Sequence, residues 1–157
     1  MKSYLFLLIT LLQLSASCGK SRDTPNTVFN PDYFIFGNSY GMCRADCTHL
    51  FRVSGGQAYP DSIDRGLAPL YFSSIPLDSA RTAIALEVQQ ALPASLRYSD
   101  SERVIGCPDC RDQGTIYIEY AQAGKVYVIR MDTDETAVPA DMRAFCSQLQ
   151  NAVTKLK

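Results

Sequence analysis

The first eighteen residues constrain this chain more than any other feature. Lys2 is followed by an apolar run from Tyr4 to Leu14 (YLFLLITLLQL), interrupted only by Thr10 and Gln13, and then by Ser15, Ala16, Ser17 and Cys18. A basic residue, a short apolar stretch and small residues ahead of a cleavage point form an export signal rather than part of a fold. The run is shorter than the roughly 20 apolar residues a bilayer-spanning helix needs. The fold is therefore expected to come from the remaining chain alone, in a compartment that permits disulfides.

Small residues leading directly into a cysteine resemble the lipobox of bacterial lipoproteins, in which a diacylglycerol is attached to the thiol before cleavage. Leu14 sits one place earlier than the leucine of the commonest lipobox, and Ser15 takes its slot. The resemblance implies a signal peptide over 1–17 and lipidation at Cys18. The alternative is an ordinary secretory signal cut before an unmodified Cys18, because Ser15 and Ser17 also satisfy a small-x-small rule.

Removing 17 of the 157 residues leaves 140, a length that suits one domain. Losing Lys2 leaves 14 basic against 16 acidic residues, a net charge of −2 with no Lys/Arg run. That balance gives no footprint for nucleic acid or for an anionic membrane surface, so the lipid is the only membrane contact implied. Residues 18–30, GKSRDTPNTVFN after the cysteine, are poor in core formers and read as a flexible tether, with a single domain over 31–157. No cofactor is implied, and the chain is expected to be monomeric.

Within that domain, Tyr33 to Phe36 (YFIF) and Leu50 to Val53 (LFRV) have the β-branched and aromatic composition of short strands. Gly55-Gly56 marks a tight turn into a partner strand around Gln57 to Tyr59. From Leu77 to Leu92 the period changes, with Ala80, Ile84, Val88 and Ala91 at helical spacing, Asp78 as cap and Pro93 as terminator. Thr115 to Tyr120 and Lys125 to Arg130 form a hairpin about Ala123-Gly124. Pro139 opens a second helix with Met142, Phe145, Cys146, Leu149, Val153 and Leu156 on one stripe. The expected class is α+β: an antiparallel sheet of short strands and a hairpin, with two helices packed on one face.

Apart from Cys18, five cysteines remain, so at least one is unpaired within a monomer. Cys146 fits that role because it lies on an apolar helix stripe. Cys43, Cys47, Cys107 and Cys110 admit three readings. They can form two disulfides, of which a bridge between the pairs would close a loop of about 60 residues and stabilise by roughly 4 kcal/mol. They can form a zinc site with His49 as a substitute ligand, although Cys43 and Cys47 have three intervening residues where a ribbon knuckle has two. Or Cys107-Pro108-Asp109-Cys110 can be a dithiol redox motif, although a strand rather than a helix follows it.

Other chemistry is sparse. With His49 the single histidine, a nucleophile–His–acid arrangement has one candidate base and no accompanying nucleophile elbow. GNSYG and Gly55-Gly56 lack phosphate-loop spacing. Asp132, Asp134 and Glu135 lack the ligand count of a calcium loop and read as a solvated connection. No catalytic residue and no metal are assigned. Phe36 to Cys43 (FGNSYGMC), Leu50 to Val53 and Gly106 to Tyr120 (GCPDCRDQGTIYIEY) resemble small lipoproteins of Bacteroidetes-type bacteria that carry no assigned activity. By analogy with such lipoproteins, the basic Gly19-Lys20-Ser21-Arg22 implies an outer-membrane anchor facing the periplasm. The expected role is a non-enzymatic binding module for an envelope protein or small ligand.

Overall fold

The computed structural model describes residues 28–63, 69–98 and 100–157; the leader over 1–17, Cys18 and most of the tether lie outside them. The strands are β1 (Tyr33–Ser39), β2 (Thr48–Ser54), β3 (Gln57–Pro60), β4 (Glu102–Ile105), β5 (Thr115–Gln122) and β6 (Lys125–Asp132). The helices are α1 (Ser79–Ala91), between β3 and β4, and α2 (Ala140–Leu156), which ends the chain. The six strands form one sheet in the order β3-β2-β1-β5-β6-β4, with every pair antiparallel except β4 and β6. The architecture is the expected α+β arrangement, with a mixed rather than wholly antiparallel sheet.

Alternation along the strands sends one side chain in two to the helices. Phe34 and Phe36 of β1, Phe51 and Val53 of β2, Ile116, Ile118 and Tyr120 of β5, and Ile129 and Met131 of β6 all enter one buried cluster. Met142, Phe145, Cys146, Leu149, Val153 and Leu156 of α2 meet them there, as the helical spacing requires. Burying a side chain of this kind contributes about 1.5–3 kcal/mol, so this layer dominates the favourable side of folding.

Asp78 caps α1 as expected, its carboxylate accepting from the Arg81 N–H at 2.9 Å. Of the stripe read from sequence, Val88 is in the core and Ile84 and Ala91 pack against it, but Ala80 is exposed, and the most buried positions are Thr82, Ala85, Val88 and Gln89. The register is rotated because Gln89 is buried as a polar anchor. Its amide donates to the Phe29 carbonyl at 3.2 Å, and that of Gln90 does so at 2.8 Å. Phe29, at the end of the expected tether, is itself buried, edge-on to Phe34 and Tyr120.

β4 carries no sequence signal, being four residues with two charges, and it pairs in parallel with β6 at the sheet edge. The chain leaving β4 must then cross the end of β6 before entering β5.

Gly37 marks a close approach of β1 to β2. A Cβ built there would lie 1.9 Å from the His49 carbonyl oxygen, and its φ of +153° is one that L side chains rarely adopt. Gly37→Ala is therefore expected to cost about 1–3 kcal/mol from backbone strain, with the clash adding to it. Urea denaturation of the variant should show the midpoint lowered with the fold retained; an unchanged midpoint would contradict this packing.

Candidate functional site

Two places gather chemistry-bearing side chains. The first is the end of the sheet where β1 stops and β5 begins. There the β1–β2 loop closes the disulfide Cys43–Cys47 and the crossing β4–β5 connection closes Cys107–Cys110, with Cα separations of 5.4 and 5.6 Å. Pairing thus occurs within each motif, and the long bridge between motifs is not formed. Asp109, at φ +59°, joins the loops: its carboxylate accepts from the Gly41 N–H at 2.8 Å and from the Gly114 N–H at 3.0 Å.

Asp132, at the end of β6, lies under the crossing. It accepts from the Cys107 N–H at 3.0 Å, the Asp134 N–H at 2.9 Å and the Gln113 amide at 3.2 Å. Burial works to raise its pKa, but these hydrogen bonds outweigh burial and hold the carboxyl below its ordinary value. Asp132 is only 4 % exposed, so the expectation of a wholly solvated acidic connection fails there. Its buried position follows from the need to satisfy loop amides that no strand can pair. Asp134 instead caps the short turn Glu135–Ala137 through the Thr136 N–H.

The second place is the sheet face turned away from the helices. The registers align Tyr59, Arg52, Ile35, Glu119, Val128 and Glu102 in one row across all six strands. Glu119 accepts from Tyr33 Oη at 2.7 Å and from Tyr117 Oη. Arg130 pairs with Glu102, and the Arg52 guanidinium lies 5.5 Å from the Tyr33 ring centroid. Burial, with the hydrogen bond to Glu119 second, pushes the Tyr33 hydroxyl up to about 12 and raises Tyr117 in the same way.

Residues 69–73 form a strap along this face. Main-chain bonds join Ser62 N–H to the Tyr71 carbonyl and Ser73 N–H to the Pro60 carbonyl, each at 2.9 Å. Leu70 and Phe72 of the strap pack on Ile35, Leu50 and Tyr117. On the β4–β6 half of the face Val104 and Val126 are exposed among the described residues.

The residues singled out from sequence thus separate. Cys43, Cys47, Cys107 and Cys110 are at the disulfide end, Cys146 is a free buried thiol, and Cys18 lies outside the described residues. Burial pushes the Cys146 thiol up to about 11, which keeps it protonated at neutral pH. His49 is in β2 with Nε2 3.3 Å from Asp46 Oδ2. Among the described residues no group of three His, Cys, Asp or Glu side chains could hold a metal ion.

Sequence reasoning missed Arg52, Asp109 and the Tyr33–Glu119–Tyr117 cluster. The period of two in TIYIEY places Tyr117 and Glu119 on one face, but Tyr33 joins them only through the strand order. No family model, curated protein or solved structure matches the chain.

Two outcomes are expected. A Cys107→Ser, Cys110→Ser protein should lose about 2 kcal/mol, the chain-entropy value for so short a loop, while keeping its far-ultraviolet circular dichroism. A loss of fold, or no loss of stability, would contradict a disulfide that pins one loop. The raised tyrosines bind their protons more tightly folded than unfolded. Their contribution is therefore full below about pH 10 and is lost as pH rises above it, for Tyr33 through about 12 and for Tyr117 at still higher pH. Tyrosinate absorbance should show late-titrating hydroxyls that vanish in Tyr33→Phe, Tyr117→Phe, and the variant's stability should fall less steeply over that range. Coincident titration curves would refute the shared-carboxylate arrangement.

Proposed function

We propose that this chain is an exported bacterial envelope protein, anchored by lipid at Cys18, whose α+β domain is a non-enzymatic binding module facing the periplasm. The observation that carries the anchor is the apolar run ending in Ser15-Ala16-Ser17-Cys18. No helix among the described residues is long and apolar enough to cross a membrane. The similarity to small lipoproteins of Bacteroidetes-type bacteria points the same way. From Cys18 to the buried Phe29 the chain can reach about 35 Å at full extension, enough to hold the domain clear of the headgroups.

Binding is favoured over thiol chemistry by the setting of the cysteines. Cys146 is buried in α2, and the other four described cysteines lie in two loop disulfides. Cys110 is followed by turns and then by β5, so no helix N-terminus is placed to lower a thiol pKa there. The sheet face carries Arg52, the Tyr33–Glu119–Tyr117 cluster and exposed valines, a mixture suited to recognition.

Fractionation of cells expressing Cys18→Ala tests the anchor. The wild-type chain should pellet with membranes and the variant should be released, since one lipid-free domain of this charge has nothing else to hold it. Retention of the variant after a high-salt wash would overturn the lipoprotein reading. In the same preparation, wild-type protein should fail to accelerate reduction of insulin disulfides. Appreciable activity, lost in Cys107→Ser, Cys110→Ser, would make the protein an oxidoreductase.

A further inference from the structure

We propose that the pocket between Arg52 and the 69–73 strap binds a small organic monocarboxylate with an apolar body, held through the Arg52 guanidinium. The inference rests on the reading of the domain as a binding module and names the ligand class.

The charges on the sheet face leave Arg52 over. Glu119 is occupied by two tyrosine hydroxyls, and Glu102 by Arg130. Among the described residues the Arg52 side chain makes no hydrogen bond and no ion pair; its contact is with the Tyr33 ring. Its Nε is buried and has no hydrogen-bond partner. An orphaned donor of a charged group is costly inside a protein, and a ligand acceptor would relieve that cost.

The surroundings specify the acceptor. Arg52 lines a pocket of about 360 Å³ with Ser54, Tyr59, Tyr71 and Phe72, within the range of small-ligand sites. The cation–π contact with Tyr33 restrains the guanidinium, whose planar fork matches two oxygens at once. The Ser54 and Tyr71 hydroxyls are further donors with no hydrogen bond among the described residues, whereas the Tyr59 hydroxyl already donates to Gln57 at 2.8 Å. Aromatic rings supply the apolar wall.

One cation among the described lining residues matches one negative charge. A phosphate monoester, with nearly two charges at neutral pH, would be left half compensated. A carboxylate fits the charge and the fork together. Free acids and the C-terminus of a peptide share this chemistry.

The purified full-length chain in a non-ionic detergent would be titrated with phenylacetate, with a dipeptide ending in phenylalanine, with the amide of each, and with inorganic phosphate. Calorimetry and two-dimensional NMR would read binding. Saturable binding of one or both carboxylates is expected, with shifts at Tyr33, Tyr59 and Phe72, and which of the two binds more tightly identifies the source. The amides should bind at least about tenfold more weakly, as loss of a charge-assisted hydrogen bond implies. Arg52→Met, which keeps an aliphatic stem over Tyr33, should show a similar loss. Arg52→Lys should recover part of it, because it restores charge without the fork.

No saturable binding of either carboxylate at millimolar concentration would overturn the proposal. So would equal binding of acid and amide, tighter binding of phosphate, or undiminished binding by a folded Arg52→Met. If that variant does not fold, the comparison of acid with amide on the wild-type chain decides alone. Failure of every carboxylate while Cys18→Ala is still released from membranes refutes the ligand and leaves the anchored module standing. Retention of Cys18→Ala refutes the anchor whatever binds the pocket.

Discussion

Because β4 runs parallel to β6, the chain leaving it cannot turn back as a hairpin. It has to pass over the end of β6 to reach β5. A segment crossing strand ends brings main-chain amides that no ladder can pair, and those amides need acceptors. Asp132 supplies them from the last residue of β6, taking the Cys107 and Asp134 N–H groups together with the Gln113 amide. The crossing is also tight. A Cβ at Gly106 would stand 2.7 Å from that of Asp132, and the residue's φ of +74° favours glycine independently. Asp109 then extends the arrangement sideways to Gly41, so that two disulfide loops far apart in sequence are hydrogen-bonded to each other.

The two faces of the sheet are finished by different means. Toward the helices the finish is continuous apolar packing, in which α1 and α2 cover the middle of the sheet. Away from them Ile35, Leu50 and Tyr117 are the sheet residues that form a buried cluster among the described residues, with Leu70 and Phe72 from the strap packed on it. The rest of that face relies on polar and charged pairs. Glu119, partly buried between two tyrosines, is tolerable because both hydroxyls donate to it, and burial first, with these hydrogen bonds second, keeps those hydroxyls protonated. Arg52 is the member of this set without such compensation.

Elements whose sequence period follows their packing were legible. The stripe on α2, the β5–β6 hairpin and the Asp78 cap match the expectation in position and role. Elements decided by tertiary placement were not. β4 is too short and too charged to show a pattern, and its parallel pairing depends on where α1 delivers the chain. The inward face of α1 was misjudged at Ala80 because a buried glutamine, which no apolar count would place inside, is satisfied by the Phe29 carbonyl. The cysteine spacing left disulfide and metal readings open, since short spacing serves both; pairing within each motif is a matter of loop geometry. The residues of the sheet face were hidden for a different reason: Tyr33, Arg52 and Glu119 are far apart in the chain, and only the strand order puts them in contact.

What the disulfides do is set by where they are. Each closes a loop of only a few residues, so each contributes about 2 kcal/mol by restricting the unfolded chain, little beside a core that fully buries eleven large side chains among the described residues. Their effect is local: they lie in loops outside the strand ladders, where opening would otherwise be easiest. The strap has no such crosslink and is held by main-chain bonds to residues 60–62 and by Leu70 and Phe72. Local opening should therefore be cheaper at the β3 edge than at the crosslinked end. That edge is where Arg52 keeps an unpartnered donor, so the part of the fold most able to admit a ligand is also the part with an electrostatic reason to hold one.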